Sequence, residues 1–402
     1  MTTNDVPALP EALTDRLGAW RRKAVVTAAG AAVLSLIGLA LEPGQFLRSY
    51  LVAYLFWIAL PLGALGLAAL HYMVGGQWGF VIRRILESAA ATIPLMALLF
   101  VPLLFGLGEL YPWARPEEVA ADPLLVHKAP YLNVGFFTAR AALYFVIWIG
   151  LTVLANRLSA RDRADDARTQ RKLQHVGSAT LVLYGFTVTF AAIDWAMSLE
   201  PHWFSTIYGM MFVAGQGLAA FAFATLVLAV IVDLPPMAGV VEPKHFRDLG
   251  SLTLAFVMLW AYMAYSQYLI IWSGNLPEEI AWYLHRSGGG WQYFGPLLIG
   301  LHFALPFLLL LQRRVKQRTR LLAGVALWIL VLRYVDIYWL IIPAFSPSRF
   351  VVSWLDVVVP VAMGALWVAV FLGRLESWSL LPYPPPAGEA SEGQAATAAA
   401  GG

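Results

Sequence analysis

The chain has 402 residues, 60% of them hydrophobic and only 13% charged, with a mean hydropathy of +0.68. That excludes a set of soluble domains and points to a polytopic helical membrane protein. The net charge of +3 says nothing of nucleic acid, and the absence of cysteine excludes disulfides, Cys-ligated iron–sulfur clusters and c-type haem attachment.

A helix needs about 20 apolar residues to cross a bilayer. Ten stretches meet that need in chain order: 24–41, 50–73, 88–108, 134–156, 176–198, 205–233, 249–274, 291–312, 321–343 and 351–373. The expected fold class is therefore all-α integral membrane with about ten spans. Residues 1–23 are expected to form a cytoplasmic N-terminal segment, polar up to Arg16 and without a small-residue cleavage motif after the first apolar run. Residues 24–375 form the transmembrane domain. The tail at 376–402, rich in Pro, Gly, Ala, Ser and Glu, is expected to be disordered and cytoplasmic. Several spans contain proline (Pro61, Pro94, Pro102, Pro306, Pro360), which neighbouring helices can accommodate. No sequence repeat is evident.

The loops alternate in charge. Twenty Lys and Arg fall on one side, including Arg21 to Lys23, Arg83, Arg84, the 157–172 stretch and Arg313 to Arg320. Five fall on the other, and Arg140 and Arg333 lie within spans. That bias puts both termini in the cytoplasm. The opposite loops, at 109–118, 123–133, 198–206 and 275–286, are rich in Trp, Tyr and Pro. They carry His127, Lys128, His202, His285 and Arg286, which are candidates for contact with a periplasmic partner.

The spans themselves contain charges. Arg333 and Asp336 lie in one apolar stretch at i, i+3, on one helix face. A charge at that depth costs roughly 3 kcal/mol on insertion scales, so a buried partner or a polar pathway is expected. Asp194, Asp356 and Arg140 lie toward the outer ends of their spans, and His302 near mid-depth. Tyr334 and other tyrosines thread the same levels. Two readings stand side by side: structural pairs between helices, or a proton relay. Haem is disfavoured, because only His71 and His302 lie inside spans and their depths differ. No metal-ligand spacing occurs in a span.

Four segments carry a family likeness: Asp122 to Asn133, Ala192 to Gly209, Ser266 to Glu279, and Arg333 to Trp339, the last reading Arg-Tyr-Val-Asp-Ile-Tyr-Trp. Over residues 20 to 375 the chain resembles the membrane subunits of alternative complex III, the bacterial quinol:cytochrome c (or quinol:oxidase) oxidoreductase. These belong to the NrfD/polysulfide-reductase-like group. The short length favours the F-type subunit over its paralogue C. The resemblance implies two four-helix bundles with two extra helices. It implies no covalent cofactor, with quinol or menaquinol as the possible ligand. Haem and iron–sulfur clusters would sit only in partner subunits: the paralogous membrane subunit, and periplasmic haem c and iron–sulfur proteins. A terminal oxidase and membrane lipids are further expected partners. The competing readings are a secondary transporter and a purely structural anchor.

Overall fold

The computed structural model describes residues 10–161 and 167–381. Every regular element among them is helical. Ten helices are long and apolar enough to cross a membrane: α1 Glu11–Leu41, α2 Pro43–Val74, α3 Gln77–Phe105, α4 Val134–Ser159, α5 Ala167–Leu199, α6 Tyr208–Ile231, α7 Pro243–Gly274, α8 Trp291–Leu311, α9 Thr319–Ala344 and α10 Leu355–Glu376. The all-α, ten-span expectation holds. In lipid each backbone N–H and C=O must be satisfied within its own segment, and a helix does this.

The helices outrun the apolar stretches. Helix α1 begins at Glu11, so residues 11–23 are part of the first helix rather than a separate segment. Leu13 and Leu17 are fully buried, and Arg21 pairs with Glu376 at 2.8 Å, tying α1 to α10. The tail expectation also needs correction at its start. Leu380 is fully buried, and the guanidinium of Arg84 lies 4.9 Å from the ring of Trp378, so residues 376–381 pack on the bundle. The rest of the expected tail, 382–402, and the first nine residues lie outside the described residues.

Helices α2 to α5 close one four-helix ring and α6 to α9 a second, while α1 and α10 pair alongside α2. This is the expected two bundles plus two helices. Helices α2 and α6 form the seam between the rings and are the most buried, at 94% and 72% of their apolar windows, against 17% for α1 and 22% for α7 and α8. The exposed faces of those outer helices carry Val26, Leu36, Ile270, Ile299 and similar side chains, as a lipid contact requires. At the seam Gly63 leaves no room for a Cβ against the main chain of Gln216. Tyr184 on α5 donates to the Gln216 side chain at 2.8 Å. Small residues let the backbones approach and a buried hydrogen bond fixes the register.

Two helices are interrupted, each with a local cause. Helix α3 breaks between Ala90 and Ile93, and Pro94 has no N–H to return to the carbonyl of Ala90. Helix α8 carries a π-helical segment over Leu298–Ala304. Pro306 follows four residues after His302, so the α-type hydrogen bond to the His302 carbonyl cannot form. That irregular turn is where the one histidine of this helix sits.

The loops at the end opposite the basic residues (the loop face) are ordered by polar and aromatic contacts. Tyr111 donates to the Trp195 carbonyl at 2.8 Å, and Trp113 to Ser198 at 3.1 Å. The rings of Trp203 and Trp282 stack at 5.0 Å.

Candidate functional site

Among the described residues each bundle contains one buried arginine–aspartate pair. In the first, Arg140 on α4 forks onto Asp194 on α5 with two hydrogen bonds of 2.8 and 2.9 Å. Its remaining terminal nitrogen donates to the Tyr131 carbonyl at 2.9 Å, and Tyr144 donates to Asp194 at 2.8 Å. The rings of Tyr131 and Phe136 lie 3.8 and 4.4 Å from the guanidinium. Asn133 caps α4 by accepting from the Phe136 N–H at 2.8 Å, which sets the start of the helix that carries Arg140. All three guanidinium nitrogens have acceptors. This pair is closed, as a bidentate clamp between helices should be.

The second pair is open. Arg333 donates to Asp336 one turn along α9, and Trp260 on α7 donates to the same carboxylate oxygen at 3.2 Å. His302 on α8 meets the Trp260 ring edge-on, with centroids 4.3 Å apart. Arg333, Asp336 and His302 are 3%, 1% and 0% exposed. Yet Nε of Arg333 and both ring nitrogens of His302 have no hydrogen-bond partner among the described residues. Buried polar groups are normally satisfied, and each exception calls for a reason. Gly215 on α6 permits the arrangement, since a Cβ there would collide with the Arg333 guanidinium. The sequence placed Arg333, Asp336 and His302 as candidates, and the fold brings all three into one bundle.

At the loop face a separate set of polar side chains gathers on Glu200. Glu200 takes hydrogen bonds from Arg286 at 3.0 Å and bonds the His285 ring at 2.8 Å. The His285 side chain is 46% exposed.

The partner-contact candidates divide on burial. His127, His202 and His285 are exposed; His202 bonds Asp122 at 2.7 Å. Lys128 is half-buried and donates to the Pro201 carbonyl at 2.6 Å, and burial lowers its pKa from the ordinary lysine value. Arg286 is not a surface contact. It is 4% exposed and donates to the carbonyls of Trp282 and Leu340 at 2.8 and 2.9 Å, with its guanidinium 3.5 Å from the Trp282 ring. Burial lowers its pKa, and Glu200 opposes that shift. Aromatic neighbours and four acceptors, the fourth being the Trp339 carbonyl at 3.3 Å, draw this residue inward. Arg286→Ala is expected to cost about 3 kcal/mol, since it strands three carbonyls and removes the guanidinium partner of Glu200. Hydrogen exchange should then rise in 275–290 and 200–207. Unchanged protection in both loops would refute the staple.

Asp356 and Tyr334 belong to a third, satisfied node. Asp356 accepts from Ser49 at 2.6 Å, Gln45 at 3.1 Å, Tyr338 at 3.0 Å and the N–H of Ser353, just before α10, at 2.8 Å. Tyr334 donates to the Asp356 carbonyl at 2.6 Å. The node holds α10 to α2 and α9. A fourth cluster was missed from sequence. Glu87 on α3 accepts from Arg83 (2.9 Å), Arg84 (2.7 Å), Ser159 (2.5 Å) and Tyr72 (2.8 Å), all buried. Arg83 and Arg84 had been counted as loop charges. Their i, i+4 and i, i+3 spacing to Glu87 was the available signal.

Among the described residues no three His, Asp or Glu side chains converge to hold a metal ion. No protein-family model matches the chain, and no curated protein matches it.

Proposed function

We propose that this multi-pass membrane protein is a subunit of a quinol-oxidising respiratory complex of the alternative complex III type, and that it moves protons rather than electrons. The observation that carries the reading is the open cluster of His302, Arg333 and Asp336. A neutral imidazole offers one donor and one acceptor, and here neither is engaged by protein. A carboxylate, Asp336, lies across the Trp260 ring from it. Intramembrane ionisable groups are expensive, and one left without a partner is by default a candidate for a proton pathway.

The seam between the bundles does not suit a quinol ring. The cavity beside Gln216, between the bundles, holds about 10 Å³, room for at most one water molecule. In this reading quinol oxidation belongs to a partner, and the proton is taken up and passed on here. The charge bias of the loops puts the termini in the cytoplasm and the loop face, with His127, His202 and His285, toward periplasmic partners.

A transporter reading draws on the repeated bundles, since parallel repeats occur in transporters. Rocking would have to separate α2 from α6, whose glycine-backed contact and Tyr184–Gln216 hydrogen bond oppose it. The test is isolation of the chain from its native membrane under mild detergent. Co-purification of subunits with haem c and iron–sulfur spectra and with quinol oxidase activity is expected. A chain that isolates alone and drives solute uptake in proteoliposomes would overturn the reading.

A further inference from the structure

A groove opens at the basic face between α3, α4 and α10, far along the chain from the open cluster. It encloses about 300 Å³. Its inner wall is apolar, formed by Ala91, Pro94, Ile149 and Val153. The α3 break at 91–92 lies on this wall. Ile149 is eight residues from Arg157, about 12 Å along the helix, which is most of the roughly 15 Å half-thickness of a hydrocarbon core. The groove thus has the depth of an acyl chain that starts at the headgroup level.

The mouth is cationic. Arg157, near the end of α4, and Arg374, in the last turn of α10, both line it and both are exposed. Neither has a carboxylate partner among the described residues. Among the described residues the nearby acids are engaged elsewhere: Glu87 by Arg83 and Arg84, and Glu376 by Arg21. Part-way down the wall, Thr152 is 3% exposed and its hydroxyl has no partner. The Trp378 ring closes the side of the mouth, braced by the guanidinium of Arg84.

We propose that this groove is a binding site for one anionic phospholipid, with the phosphate at Arg157 and Arg374 and an acyl chain along Ile149 and Val153. Guanidinium pairs suit phosphate bidentately. A neutral quinone head would leave both charges unanswered. The Thr152 hydroxyl lies at a depth where an ester carbonyl of the same lipid can accept from it.

The test uses the full chain extracted from nanodiscs of phosphatidylcholine with a minority of phosphatidylglycerol, read by native mass spectrometry. One retained phosphatidylglycerol per chain is expected, enriched over the neutral lipid. Each arginine near the surface contributes about a fivefold preference, so R157Q with R374Q should lower retention roughly twenty-five-fold. Both residues are exposed and their loss should leave the thermal transition in place. A second variant, T152F, fills the wall while keeping the charges and is also expected to release the lipid. Equal retention of both lipids, unchanged retention in the double variant, or displacement of the lipid by a menaquinone analogue would each overturn the assignment.

Discussion

His302→Phe is expected to unfold at a higher temperature than the parent chain, and to pass protons roughly a hundredfold more slowly. The two effects have separate causes. The imidazole is fully buried with both nitrogens unpartnered. An unsatisfied buried polar group costs about 1–3 kcal/mol, and phenylalanine keeps the ring edge against Trp260 without that cost. If His302 only packs, removing it stabilises the bundle and leaves proton release during quinol oxidation untouched. If it relays protons, stability rises while proton release falls. Thermal unfolding in detergent and proton release by the assembled complex read the two effects independently. Normal proton release with raised stability would end the relay proposal.

Arg140→Met is expected to destabilise the chain by about 3–5 kcal/mol, because it leaves Asp194 as a buried charge without its counter-ion. Asp194→Leu should do comparable damage from the other side. The double variant is expected to recover most of the loss, since apolar replacements of a buried pair are often neutral or stabilising. Tyr144 and the Tyr131 carbonyl would still lack a partner, so recovery should be incomplete. A double-mutant cycle in denaturant yields the coupling directly. Additive losses would mean that the 2.8 and 2.9 Å fork contributes nothing as a pair. Proton release by the folded double variant should be normal, which separates this clamp from the open cluster.

The contrast between the two pairs shows where sequence reading stops. Arg140 with Asp194 and Arg333 with Asp336 look alike as intramembrane charges. One is saturated by Tyr131, Tyr144 and its own fork. The other leaves the Nε of Arg333 without a partner among the described residues, in the bundle where both ring nitrogens of His302 are also unpartnered. The difference lies in neighbours contributed by other helices, and no spacing along the chain reports them. Arg286 fails the surface reading for the same reason: its acceptors are Trp282, Trp339, Leu340 and Glu200, up to 86 residues away. Glu87 was overlooked because two arginines beside it made the region look like a loop.

Sequence alone determined the class of the protein, the number of spans and their order, because burying backbone polar groups in lipid permits little but helices of a set length. It also located the charges that cost most. The tertiary structure decided which of those charges are paid for by partners, where α2 and α6 meet to divide the chain into two bundles, and that a groove opens beside the α3 break. Helix formation is local and is written in each segment's own apolar run. Satisfaction of a buried polar atom is a contact between distant segments, and only packing settles it.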